Sequence, residues 1–257
     1  MNSQPSLHSH PSLIRPFWAR ILLAAASAAA LVCLCAPPSA SAADPATGRK
    51  LLFEDNFYGT TLNTASWSPY NGPGYNGHGL RRPYQVKPDG RGNLVISAQM
   101  INGAVISGGM SSHLNRTYGL YEFRVRVEPD PTHNMSGAVL TWPQSGRWPM
   151  DGENDIYETG TYNPRDPFFS FIHYGTTAST QRSYRHLADA NQWHTMAMDW
   201  SKYAIKIYRD GALVWTITDP AAIPDVPHHL SIQLDALGAG KLTQRVRMAV
   251  DWVRIYQ

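Results

Sequence analysis

Charge is scarce in this sequence of 257 residues: Asp, Glu, Lys and Arg make up 16% of it, and the formal net charge is +3. So small a charge, with no run of five like-charged residues, gives no electrostatic reason to expect nucleic acid or an anionic membrane as partner. Cysteine is scarcer still. Cys33 and Cys35 are the only two, so neither a disulfide framework nor a cysteine-based zinc site is expected in the body of the chain. The apolar run from Ile21 to Cys35 falls short of the ~20 residues that span a bilayer. It follows Arg15 and Arg20 and precedes Ala40-Ser41-Ala42, the basic, apolar and small-x-small order of a secretory signal. Neither cysteine has a small residue directly before it, so lipid attachment is not expected. The expectation is a signal over residues 1–42 and a secreted, monomeric product with no membrane association. Losing that segment removes two arginines and no acid, so the net charge becomes 3 − 2 = +1.

A sustained 3.6-residue apolar stripe is also missing, which argues against packed helices. The alternation in "YEFRVRVEP" puts Phe123, Val125 and Val127 on one face and Glu122, Arg124, Arg126 and Glu128 on the other. That is the period of a half-buried strand. "LVISAQM" and "FSFIHYG" read alike, and Asp210-Gly211 between two alternating runs marks a hairpin. Many short strands separated by Gly, Pro and Asn, without βαβ alternation, predict an all-β fold of two packed antiparallel sheets, a sandwich or jelly roll. After a short linker over residues 43–49, residues 50–257 are expected to form one domain. The Gly-rich "SPYNGPGYNGHGLRRPY" from Ser68 reads as a rim loop.

In so weakly charged a chain, "DGENDIYE" places four acids in eight positions, Asp151 to Glu158. Side chains two apart share a strand face, so Glu153 and Asp155 point together. Glu158, five beyond Glu153, joins them only if one extra residue, a bulge at Ile156-Tyr157, is absorbed. The two glutamates would then behave as an i, i+4 pair, and with both side chains leaning inward their carboxyls come within roughly 5 Å. Three carboxyls this close cannot all ionise cheaply, so one stays protonated while another stays charged. This is the pairing that a retaining glycosidase uses, one acid for the leaving oxygen and one nucleophile. A solvated acidic face is disfavoured by like-charge repulsion on a strand, and a calcium loop would need ligands that are not there.

With these surroundings the sequence resembles glycoside hydrolase family 16, the laminarinase, lichenase and agarase group, in the bulged Glu-x-Asp-x-x-Glu form. The likeness rests on "WPMDGENDIYE", "FEDNFYGTTLNTASW", "SGGMSSHLNRTYGLYEFRVRV", "GAVLTWP", "QWHTMAMDW" and the closing "VDWVRIYQ", and runs from about Leu51 to Gln257. It implies a jelly-roll sandwich with an open cleft across a concave sheet, cleaving internal β-linkages of a polysaccharide with retention. On this chain it implies Glu153 as nucleophile, Glu158 as acid/base, Asp155 as the residue that tunes the nucleophile, and His173 beside the catalytic strand. Asn154 stands where the family usually has an aliphatic residue. "HGLRRPYQ" and "SIQLDALGAG" replace other family segments and leave Gln233 as the nearest polar candidate on its strand.

Sugars stack on aromatic rings, so Trp142 and Trp148, flanking the acidic segment, are assigned to substrate binding. Trp67, Trp193, Trp200 and Trp252 sit in strand-like runs and are expected in the core, and His228-His229 at the surface. No histidine pattern suggests zinc, and Gly72-x-Gly74-x-x-Gly77 lacks the βαβ unit of a dinucleotide site, so no metal or cofactor is expected. The leading function is hydrolysis of a β-1,3- or β-1,3-1,4-glucan. Transglycosylation, galactan cleavage and lectin-like binding without cleavage remain as alternatives.

Overall fold

The computed structural model describes residues 44–257; the expected signal over residues 1–42 and both cysteines lie outside the described residues. Seventeen strands follow one another among the described residues. They are β1 (Leu51–Asp55), β2 (Trp67–Pro69), β3 (Gly72–Pro73), β4 (Leu80–Arg81), β5 (Val86–Pro88), β6 (Leu94–Ile101), β7 (Ala104–Arg116), β8 (Gly119–Val127) and β9 (Met135–Pro143), then β10 (Glu153–Glu158), β11 (Phe168–His173), β12 (Gln181–His186), β13 (His194–Trp200), β14 (Ile205–Arg209), β15 (Ala212–Ile217), β16 (His228–Ala236) and β17 (Val246–Tyr256). Among the described residues the only helices are three single 3-10 turns.

Two antiparallel sheets face each other. The front sheet runs β2-β7-β16-β9-β10-β11-β12. The back sheet runs β5-β6-β17-β8-β13-β14-β15, with β1 pairing the C-terminal half of β17. The hairpin of β6 and β7 joins the sheets at one edge through Gln99–Ile101 and Ala104–Ile106, and β4 adds a short parallel pairing to β7. This is the jelly-roll sandwich that the alternation predicts.

The two-residue period places the core between the sheets. Phe123, Val125 and Val127 are fully buried and meet the inward residues Met110, Val139, Ile156, Ile172 and Ile232 of the front sheet. Asp210 and Gly211, at φ of 51° and 80°, close the hairpin of β14 and β15, the left-handed pair that a two-residue turn requires. Trp67 and Trp200 are in the core as expected. Trp193 and Trp252 are not: both are half-buried on the outer face of the back sheet, with Arg124 over Trp193 at 4.9 Å and Arg254 over Trp252 at 4.4 Å. Guanidinium stacking on these rings replaces core packing. No helix among the described residues is long and apolar enough to cross a membrane.

Candidate active site

Strand β10 lies between β9 and β11, and its register slips against both. From Asp155 to Glu158 is three steps on β10, but their partners Phe171 and Phe169 on β11, and Leu140 and Ala138 on β9, are two steps apart. The chain therefore carries one extra residue, a β-bulge, and Glu158 returns to the face that Glu153 and Asp155 share. The bulge sends Ile156 and Tyr157 together into the core, both fully buried. It is braced there: Ser170 donates to the Ile156 carbonyl at 2.7 Å, and the Tyr157 hydroxyl donates to the Ala190 carbonyl at 3.2 Å.

The fourth acid, Asp151, belongs to the preceding turn. It accepts from Ser145 and from Arg147 Nε and Nη2, both at 3.0 Å, which hold its carboxyl below the usual range, Ser145 most of all. The other three converge. Asp155 is 4% exposed, and its Oδ2 lies 3.1 Å from His173 Nε2. Oxygen and nitrogen atoms of Glu153, Asp155 and His173 all lie within 4.8 Å of one another, the one grouping among the described residues spaced to hold a cation. A protonated carboxyl is a poor metal ligand, and the electrostatics of the site favour protons.

Burial, followed by the charges of Asp155 and Glu158, pushes Glu153 up to about 9; His173 and the Trp148 indole offset only part of this. Asp155 is raised well above the usual range by burial first and by Glu158 second, and burial likewise raises Glu158. A carboxyl with a higher pKa in the folded chain favours folding as the acid. That contribution is intact below the unfolded value of 4.5 and is lost as pH climbs through the folded value of about 9. Glu153→Gln, always neutral, should therefore gain on the wild type between pH 5 and pH 8, by about 4 kcal/mol or ~8–16 °C in melting temperature. Equal differences at the two pH values in thermal melts would contradict the raised Glu153.

Aromatic rings line the cleft beside these carboxyls. Trp142 and Trp148 stack at 6.4 Å and 10°, Trp148 meets His173 at 5.9 Å, and Phe171, Phe169 and Tyr162 continue the row at 5.7–6.0 Å spacings. Trp148 is 36% exposed. The sequence reading did not include Phe169, Phe171 or Tyr162, although Phe169, Phe171 and His173 alternate along β11 opposite Glu158, Asp155 and Glu153.

On the other side, Gln233 sits on the cleft face opposite Ala138 and Gly109. Beyond it the expected rim loop packs down against β7 and β16. The Tyr70 ring packs against Gly109, where a Cβ would come within 2.7 Å of the ring and 2.9 Å of Gln233. The Tyr70 hydroxyl donates to Ser231 at 3.0 Å, and Arg81 sits 5.1 Å over the ring. Arg81 is held by two bonds to the buried Asp235, at 2.8 and 2.6 Å. This stack walls the cleft over β7 and β16. The Gly108-Gly109 pair in a strand was the available sequence signal for a close approach from above.

Asn154 points away from the cleft and is fully buried. It donates to Thr141 Oγ1 at 2.9 Å, which lies 3.1 Å from His228 Nδ1, while His228 Nε2 is 2.9 Å from the Asp151 carbonyl. His228 is therefore no surface residue. It is fully buried against Trp200 at 5.0 Å and is kept from protonating chiefly by burial. Polar partners from β9 and from the turn before β10 make that burial tolerable. His229 is half-buried on the cleft face, opposite Trp142.

Comparison with known proteins bears on the fold and the family. A β-glucanase of Rhodothermus marinus is 30% identical over 174 residues, 55% of this chain and 58% of the relative, so the chain spans a little over half of that protein's length. The laminarinase structure from the same organism superposes with a TM-score of 0.72 at 23% identity, covering 81% of this chain and 97% of that one. A non-specific endo-β-1,3(4)-glucanase, crystallised with 1,3-β-D-cellotriosyl-glucose, superposes with a TM-score of 0.69 at 25% identity, covering 82% and 95%. The family model for glycosyl hydrolases family 16 matches residues 81–254, most of the described fold and the whole carboxylate strand, and the chain belongs to that family.

Proposed function

We propose that this chain is a secreted, retaining endo-hydrolase of β-1,3- or β-1,3-1,4-glucan. The observation that carries the reading is the bulge in β10, which brings Glu153, Asp155 and Glu158 to one cleft face. The sugar chain would cross the strands from the Trp148–His173 end, over the carboxyls, to Gln233 and the Tyr70 wall. The likeness to β-glucanases and laminarinases supports the substrate class.

In the reactive state one negative charge serves three carboxyls. It resides on Glu153, with Asp155 protonated and donating to it, so that the Coulombic part of the upward push on Glu153 disappears. The Glu153 carboxylate attacks the anomeric carbon, the glycosidic C–O bond breaks, and Glu158 delivers its proton to the leaving oxygen. Water then attacks the glycosyl ester. Glu158, now the base, takes a proton from that water and the Glu153 carboxylate departs. In this reading residues 1–42 direct export and residues 50–257 are the catalytic domain, acting as a monomer on polysaccharide without cofactor.

Incubation with laminarin and mixed-linkage glucan should release reducing ends from internal cleavage, with the first-formed anomer β by proton NMR. An α first product would remove the retaining mechanism. Binding of both glucans with no new reducing ends would assign the chain to carbohydrate recognition instead, and cleavage confined to agarose would change the substrate.

A further inference from the structure

We propose that the outer face of the back sheet carries a second binding site, for an anionic polysaccharide whose sugars bear carboxylate or sulfate groups. A groove of about 500 Å³ crosses that face over β5, β6, β17 and β8, four strands and so about 14 Å wide. Lys87, Arg126, Arg245 and Arg247 project into it, with Tyr84 and Trp193 toward its two ends.

The charge there is out of proportion to the rest of the chain. The groove is lined by five cations, adding Arg91 to these four, and by two acids, Asp89 and Glu128, which leaves 5 − 2 = +3. The described residues as a whole carry 20 cations and 19 acids, a net of +1. The other described residues thus carry a formal 1 − 3 = −2, and the excess of cations gathers in one place.

Nor are most of these cations neutralised by a neighbouring acid. Among the described residues Lys87, Arg91, Arg126 and Arg245 form no ion pair. Arg245 directs Nε and Nη2 at the neutral amide oxygen of Gln99, at 2.9 and 2.7 Å. Arg126 Nε is buried with no acceptor at all. The Asp89 carboxylate is spent on its own turn, accepting from the Arg91 and Asn93 amides and from Asn93 Nδ2 at 2.7–3.1 Å. Only Arg247 has an acid, Glu128 at 3.1 Å. Guanidiniums without carboxylates are forks ready for carboxylate or sulfate oxygens. Tyr84, 52% exposed, offers ring surface for the sugar C–H faces between the anionic groups, and Trp193, with Arg124 and Arg126 at 4.9 and 5.2 Å over its ring, bounds the other end.

The choice of a glycan over nucleic acid rests on the proposed function of the opposite face: a polysaccharide hydrolase gains effective concentration from holding a matrix polymer on a second, non-reacting surface. A chain of net +1 also lacks the long-range field of nucleic-acid binders.

The experiment is affinity electrophoresis and titration calorimetry of the protein with polygalacturonate, with dextran sulfate, with laminarin and with single-stranded DNA, at two salt concentrations. Polygalacturonate separates carboxylate recognition from the sulfate arm. The wild type is expected to bind at least one of these two anionic glycans, more weakly as salt rises. Arg126→Gln combined with Arg245→Gln is expected to weaken that binding about ten-fold or more, while laminarin hydrolysis and the melting temperature stay as in the wild type. Absence of binding to both anionic glycans overturns the proposal, as does a double variant that binds them unchanged. Tighter binding of DNA than of either glycan overturns it in favour of a nucleic-acid surface. Laminarin hydrolysis in the same samples reports separately on the cleft, so failure of one reading is not failure of the other.

Discussion

Glu153→Ala is expected to lower kcat on laminarin by on the order of 10⁴-fold or more, because in the proposed mechanism its carboxylate alone attacks the anomeric carbon. Glu158→Ala should cost about 10²–10⁴-fold, the usual worth of a positioned proton donor. Azide separates the two roles. In Glu158→Ala the glycosyl ester still forms with an activated aryl glycoside. Azide then attacks the anomeric carbon, releases the Glu153 carboxylate, and yields the β-glycosyl azide. In Glu153→Ala azide takes the place of the missing carboxylate in a single displacement and yields the α-glycosyl azide. Product NMR reads the difference. The same anomer from both variants, or full activity in either, would remove the assignment of nucleophile and acid. Asp155 and His173 would remain as a buried acid and its neighbour without a partner in catalysis.

Arg165→Met is expected to destabilise the fold by about 3–5 kcal/mol, on the order of 6–15 °C in melting temperature. Arg165 is fully buried. Its Nε donates to the Glu128 carbonyl at 3.0 Å, and its Nη1 to the Met135 and Gly160 carbonyls at 2.7 and 2.8 Å. Those carbonyls follow β8, open β9 and lie just past Glu158, so one guanidinium ties together three chain segments at the far end of the carboxylate strand. Methionine matches the length of the stem and strands all three acceptors in a dry interior. Arg165→Lys, which keeps the charge but not the fork, should recover only part of the loss. A melting temperature within about 2 °C of the wild type for Arg165→Met would show that water satisfies these carbonyls instead.

The features that the sequence made legible are local ones. Phe123, Val125 and Val127 announce their strand by period alone, and Asp210-Gly211 its hairpin. The five-residue spacing of Glu153 and Glu158 required an extra residue between them before any register was known. What stayed hidden depends on partners far apart in the chain. Arg81 and Asp235 are separated by 154 residues, and nothing in "HGLRRPYQ" says that its arginine will lie over a tyrosine that walls the cleft. His228 looks like a solvent-facing histidine until Thr141 from β9 and the Asp151 carbonyl from the turn before β10 arrive to bond it. The cations of the back-sheet groove come from positions 87, 91, 126, 245 and 247, so a scan for charge runs passes over all of them.

The slipped register of the carboxylate strand also constrains how this site can change by descent or by design. The gap between its outer acids is written in the number of residues, not in their identities. Substitution at Ile156 or Tyr157 retunes packing, whereas deletion of either would swing the last glutamate through half a turn into hydrocarbon. A transplant into another sandwich would accordingly have to bring the flanking ribbons with it, since Leu140 to Ala138 and Phe171 to Phe169 hold the surplus residue in place from both sides.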